Sequence, residues 1–432
     1  MDSDFYTATE AARLIAAGNL SAETLLQQCL SRIDAYETEV GAWQEIDREG
    51  ALAAARSADR GPIKGPLHGI PIGVKDIVDV AGMRTTCGSV IYSGNIATSD
   101  AACVAMARNA GAIILGKTVS TEFAAMTPGK TRNPHDLTRS PGGSSSGSAA
   151  ALAYGSALLT LGTQTIGSTV RPAAYCGVVG FKPTYGLFSL EGVKAQAESM
   201  DTLGLMARSA QDIELFANSL LGVEGFAGNI GVGKPVRIGI CRSPQWPEAR
   251  PETVAALQRA ATAFEKAGAQ LQPIELDADF TRVLDAQWLI LKFEFARALA
   301  WEHANFAARL SPALRALLDD GRAIALADYY SATALARICR ERIARYFDGV
   351  DVFLTPSAAS EAPAFDAPSD LLFQRLWTVL RLPAITLPAF TGPNGLPVGV
   401  QLVGKSGDDA GLLALARWAE RALVGGQPNI AG

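Results

Sequence analysis

The chain has 432 residues, 48% of them apolar and 19% charged, which is ample for one large core or two ordinary ones and excludes a disordered segment. A net charge of −5, with no basic cluster interleaved with aromatics, excludes nucleic acid as the partner expected on charge. Six scattered cysteines without a C-x-x-C pair exclude a disulfide framework and a cysteine zinc site, so free thiols are expected.

The amino terminus, Met1-Asp-Ser-Asp-Phe-Tyr, is acidic and runs into an amphipathic pattern, where a secretory signal would start basic and continue apolar; a cytoplasmic protein is the expectation. Residues 7–38 carry a helical period: Ala11, Leu14 and Ile15, then Leu25, Cys29, Leu30 and Ile33 behind a capping Ser21. They predict two surface helices. Short apolar runs and helical stretches then alternate through 70–74, 102–108, 112–115, 148–159, 178–181, 236–240 and 352–354. That alternation predicts an α/β fold with a mixed, largely parallel central sheet covered by helices.

Residues 139–171 lack any charge between Arg139 and Arg171, yet Gly and Ser interrupt the run well short of the ~20 apolar residues of a membrane span, so a buried central segment is predicted. Residues 250–348 read as almost entirely helical and form a layer or lid over one end of the sheet. Leu382-Pro-Ala-Ile-Thr-Leu-Pro-Ala, a Gly-Pro-Asn-Gly turn and Leu396-Pro-Val-Gly-Val-Gln-Leu-Val predict a hairpin, followed by a final helix. With no internal repeat or low-complexity linker, residues 1–432 are read as a single domain.

The residues able to carry chemistry cluster in Ser140-Pro-Gly-Gly-Ser-Ser-Ser-Gly-Ser148 and Gly162-Thr-Gln-Thr-Ile-Gly-Ser-Thr-Val-Arg-Pro172. Hydroxyls and glycines between core-like flanks must be satisfied or used, and binding loops on rigid scaffolds have this composition. Gly143-Ser-Ser-Ser-Gly147 fits a nucleophile elbow on Ser145. Its Ser-His-Asp engine is poorly supplied, because the only later histidine, His303, falls in the helical region while His68 and His135 precede the motif. A lysine offers a second engine. Lys75 ends the run Ile70-Pro-Ile-Gly-Val, where burial disfavours the ammonium and a neutral amine can act as base; the plainer alternative is a lysine that reaches water or pairs with Asp76.

Pro71-Ile-Gly-Val-Lys-Asp, Gly142-Gly-Ser-Ser-Ser-Gly-Ser-Ala-Ala-Ala, Gly167-Ser168 with Arg-Pro-Ala-Ala-Tyr-Cys-Gly-Val-Val-Gly-Phe-Lys-Pro-Thr, Asp201-Thr-Leu-Gly with Ala207-Arg-Ser, and Leu396-Pro-Val-Gly-Val-Gln-Leu together resemble the amidase signature family. The resemblance runs from about Asp4 to the carboxyl end, is densest from Leu67 to Ser209 and is thin through 225–345. It implies that Ser168 is the nucleophile, that Ser144, following a cis peptide bond from Gly143, is a bridging serine, and that Lys75 is the base. It also implies an acyl-enzyme on Ser168 and an oxyanion hole from the backbone N–H groups of Thr165, Ile166 and Gly167 up to Ser168. No metal or organic cofactor is called for. Ser145 and Ser146 are candidates for orienting the lysine, Cys176 is read as a small core residue, and His68 and His135 as loop residues. Trp288, Trp301 and Trp377 are candidate pocket walls or plain core.

Two departures stand out. Most family members read Gly-Thr-Asp-Thr-Gly-Gly-Ser, whereas here Gly162-Thr-Gln-Thr-Ile-Gly-Ser168 puts a β-branched Ile166 beside the oxyanion hole, so the acyl pocket is either reshaped or weakened. Arginine stands three positions after the nucleophile rather than two. With Gln164 and Pro-Ala-Ala-Tyr-Cys-Gly this resembles the malonamidase branch, which makes Arg171 and Gln164 candidate substrate-binding residues for a small acid amide such as malonamate; a buried ion pair is the other reading of Arg171. The expected activity is hydrolysis of small carboxamides to carboxylate and ammonia. The alternatives are a glutaminase-type subunit of a tRNA-dependent amidotransferase and a ligand-binding relative impaired by Ile166. For assembly, the sequence offers only the general precedent of the homodimer.

Overall fold

The amphipathic period at the amino end forms helices Ala8–Ala16 and Ala22–Val40, and Ser21 caps the second by accepting from Thr24 N–H. These helices belong to a computed structural model that describes residues 5–223, 228, 235–367 and 370–425. The apolar runs become strands of one eleven-stranded sheet: β1 Trp43–Ile46, β2 Pro71–Lys75, β3 Ile113–Thr118, β4 Leu159–Gln164, β5 Val179–Lys182, β6 Thr202–Ala207, β7 Arg237–Cys241, β8 Gln270–Ile274, β9 Val352–Pro356, β10 Ala384–Thr391 and β11 Pro397–Val403. Their order is β1-β3-β2-β4-β6-β5-β10-β11-β9-β7-β8. Strands β2 to β6 are buried at every position, as expected of strands covered on both faces.

The sheet is mixed, but its centre is antiparallel. Parallel pairs occur only at β2/β3, β2/β4, β7/β8 and β7/β9 among the described residues, and six pairings are antiparallel. The expectation of a largely parallel sheet took each apolar run for the next strand of a βαβ unit. Instead β6, reached from β5 by a helix-free connection, inserts antiparallel between β4 and β5. The carboxyl-terminal hairpin forms as predicted, with Ala384 opposite Val403, and Asp409–Gly425 is the closing helix.

The stretch 250–348 holds helices Pro251–Lys266, Asp279–Ala298, Ala300–Phe306, Pro312–Ala323 and Leu326–Arg342. It also holds β8, which the reading of this stretch as almost entirely helical did not locate. As an edge strand β8 is largely exposed and carries Pro273, so it lacks the apolar run that reveals a central strand. No described helix is long and apolar enough to cross a membrane. All six cysteines are buried and unpaired.

Candidate active site

Lys75 closes β2 and is wholly buried. Its Nζ lies 2.7 Å from Ser144 Oγ and 2.7 Å from Thr163 Oγ1, the latter on the neighbouring strand β4. Burial lowers its pKa to about 7, against a smaller upward pull from Asp201. Near neutrality a substantial fraction is therefore the free amine, which can donate to Thr163 and take the Ser144 hydroxyl proton on its lone pair. The alternative pairing with Asp76 does not form. Asp76 faces Lys117, Oδ1 to Nζ 3.6 Å, and accepts from the N–H and hydroxyl of Thr86.

Ser144 stands in the loop before helix Ser146–Ala153, after a cis bond from Gly143. Gly142 makes that loop possible: its φ is +76°, and a Cβ there would lie 2.9 Å from Pro172 Cα. The loop is tied to the turn after β4, because Ser145 N–H donates to Ser168 O at 3.3 Å. Ser144 and Ser168 line one cavity of about 340 Å³, with Lys75 buried behind Ser144. In the turn, the N–H groups of Ile166, Gly167 and Ser168 meet no protein acceptor among the described residues, so they are free to donate to a group bound in the cavity. Thr165 is anchored, its hydroxyl 2.5 Å from Asp201 Oδ1. Ile166 has no left-handed φ, so its β-branched side chain carries no backbone penalty, and that side chain lines the cavity.

The two candidate substrate-binding residues differ. Arg171 reaches the cavity wall, but its terminal nitrogens donate to the backbone carbonyls of Gly143 and Asp370 rather than to a carboxylate, and its Nε has no protein partner among the described residues. The alternative reading, a buried ion pair, takes the form of carbonyl contacts to the Ser144 loop and to Asp370, with the Asp370 carboxylate near enough to favour the charged guanidinium but not hydrogen-bonded to it. Gln164 does not contribute to the wall: Oε1 accepts from Thr169 and Val170 N–H, and Nε2 donates to Thr378 Oγ1. Ser145 and Ser146 leave Lys75 alone, bonding to the Thr163 backbone and to Val119 O. Ser145 still acts indirectly by fixing Thr163. His135 and His68 make the expected loop contacts with backbone atoms, and Cys176 lies in an apolar cluster.

The rest of the wall is mostly apolar: Met126, Trp288, Leu291, Leu317, Phe365 and Leu371. Trp377 is core and Trp301 is 55% exposed, so Trp288 alone of the three candidate tryptophans lines the cavity. Sequence reasoning missed Thr163, Asp201 and Thr378. The first two lay inside quoted motifs, but only the fold shows what a buried hydroxyl or carboxylate faces.

The chain is similar to known proteins along nearly its whole length. The family model described as Amidase matches residues 24–413. The glutamyl-tRNA(Gln) amidotransferase A-subunit of Roseiflexus sp. (strain RS-1) is 33% identical, over 95% of this chain and 94% of its own length, and that of Chloroflexus aggregans is 35% identical over 95% and 94%. A solved structure described as an amidase superposes with TM-score 0.89 at 31% identity, covering 96% of this chain and 99% of that one. The peptide amidase from Stenotrophomonas maltophilia superposes with TM-score 0.85 at 29% identity, covering 98% and 97%.

Proposed function

This chain belongs to the amidase family, and from that premise we propose that it hydrolyses small carboxamides through Ser168, Ser144 and Lys75. As Ser168 Oγ attacks the amide carbon, its proton passes to Ser144 and that of Ser144 to the neutral amine of Lys75. The backbone N–H groups from Thr165 to Ser168 hold the oxyanion, each worth roughly 3 kcal/mol. Collapse breaks the C–N bond, and the relay returns the proton to the departing amine or ammonia. Water then cleaves the acyl-enzyme by the same relay. The observation that carries this reading is Lys75 itself: a buried amine 2.7 Å from Ser144 Oγ, with a pKa near 7.

The apolar wall favours a carboxamide with an apolar acyl group. A dicarboxylic half-amide such as malonamate is the second reading, favoured by the charge of Arg171 at the cavity wall, whose hydrogen bonds go to carbonyls and whose nearby counter-charge is Asp370. The relatives' names add a third, release of ammonia from glutamine for transfer within an amidotransferase. Ammonia release from apolar carboxamides, malonamate, malonamide and glutamine separates the three, with Ser168→Ala and Lys75→Ala as controls. Preferred turnover of apolar amides by the chain alone supports the first reading, and preference for malonamate supports the second. Activity only with glutamine and added partner proteins supports the third. Turnover that survives in Ser168→Ala sinks the proposed triad.

A further inference from the structure

Ser168 stands between two points at which its turn is gripped from outside. Upstream, the Ile166 carbonyl accepts from Thr378 Oγ1 at 2.8 Å. Downstream, the N–H groups of Thr169 and Val170 donate to Gln164 Oε1 at 3.0 and 3.1 Å. The grips are linked, because Gln164 Nε2 donates to Thr378 Oγ1 at 3.2 Å. Gln164 and Thr378 are each 1% exposed and neither lines the cavity.

The chemistry of the link is directional. A threonine hydroxyl has one proton; given to Ile166 O, it leaves only lone pairs towards Gln164, so the glutamine must present its NH₂ there and its oxygen to the helix start. Both orientations are thereby fixed, and the chain from residue 166 to residue 170 is held at both ends. A carbonyl of Ile166 turned towards Thr378 also sets the following peptide plane, which carries Gly167 N–H.

We infer that Gln164 and Thr378 form a positioning clamp that sets Ser168 Oγ and the Gly167 and Ser168 N–H groups for attack. The inference rests on Ser168 being the nucleophile. It replaces the substrate-binding role expected of Gln164.

The test measures turnover and the rate at which a fluorophosphonate labels Ser168, alongside Tm, for Thr378→Val, Thr378→Ser and Gln164→Glu. Loss of the contacts that orient metal ligands costs about 10- to 100-fold in activity, and we expect the same scale where contacts orient a nucleophile's turn. Thr378→Val should lower kcat and the labelling rate by that factor with KM within about twofold, and Thr378→Ser should restore both. Gln164→Glu, which keeps the acceptor but loses the donor to Thr378, should fall between them, and it remains informative if Thr378→Val does not fold. Labelling of Thr378→Val and Gln164→Glu at the wild-type rate, in a protein whose Ser168→Ala form does not label, overturns the clamp and leaves the nucleophile in place. No labelling of wild-type Ser168 overturns the nucleophile reading and the clamp with it.

Discussion

The loop and turn that carry Ser144 and Ser168 face the helical layer across one cavity, and the two sides are built differently. The first is made of small residues, almost all buried, and is held by backbone and hydroxyl hydrogen bonds: Lys75 to Ser144 and Thr163, Thr165 to Asp201, Ser145 to Thr163. The second supplies Trp288 and Leu291 from helix Asp279–Ala298 and Leu317 from Pro312–Ala323, which add apolar volume. A hydrogen bond between fixed atoms tolerates few substitutions, whereas volume can be supplied by many residues. Chemistry should therefore depend steeply on the first side, and substrate choice shallowly on the second.

The largest effect tests that division at its root. Ser168→Ala and Lys75→Ala should each reduce kcat/KM by about 10⁴-fold, and their double variant by little more, because residues of one relay act as a unit. Losses that multiply would show that the two do not share a step.

The pH dependence comes next. If neutral Lys75 is the base, kcat/KM should fall about tenfold per unit below pH 7 and level off above it, matching the value to which burial lowers its pKa. A flat profile from pH 5 to 8 would remove Lys75 as the base. The same shift bears on stability. Unfolded Lys75 keeps an ordinary lysine pKa, so between about pH 7 and 10.4 the unfolded chain binds the extra proton and stability rises with pH. Below pH 7 the folded state holds the buried ammonium at its full cost. Lys75→Met should thus raise Tm at pH 6 by a few degrees (~1–2 kcal/mol), and less at pH 10.

This contrast also governs what could be read from the sequence. The Gly-Ser tract and Lys75 at a strand end were legible because turns, close approach and a buried amine demand particular residues, and the family resemblance placed roles on them. The carboxyl-terminal hairpin announced itself through its Gly-Pro-Asn-Gly turn. By contrast, β8 is an exposed edge with a proline, and the antiparallel insertion of β6 depends on tertiary pairing that no local period encodes. Gln164 shows the limit within the motif. Its position was evident, but whether its amide met substrate or Thr378 depended on a residue 214 positions away.

Ile166 lies on the border of the two sides, since its backbone belongs to the turn and its side chain to the wall and to the apolar cluster under the helical layer. Ile166→Gly should shift preference towards bulkier acyl groups by about 10-fold or more in kcat/KM, the scale of a few methylenes in a pocket, with some loss on the smallest amides as the turn loosens. Unchanged rates across an acyl series would dispose of any role for this side chain.

The smallest effect is expected at Trp288. Its ring lines the cavity from the helical layer, half-buried, with the Arg375 guanidinium 5.7 Å from its centroid. It has no place in the proton relay, so Trp288→Ala removes contact area that substrate and transition state use alike. Uniform binding lost in this way raises KM and leaves kcat nearly unchanged. We expect KM for apolar amides to rise about 3- to 10-fold, KM for short polar amides to stay within twofold, and the rate of Ser168 labelling by a small fluorophosphonate to hold. A fall in kcat on short amides would mean that the helical layer also helps to hold the catalytic turn, and the division between chemistry and volume would then fail at the residue where it is most exposed.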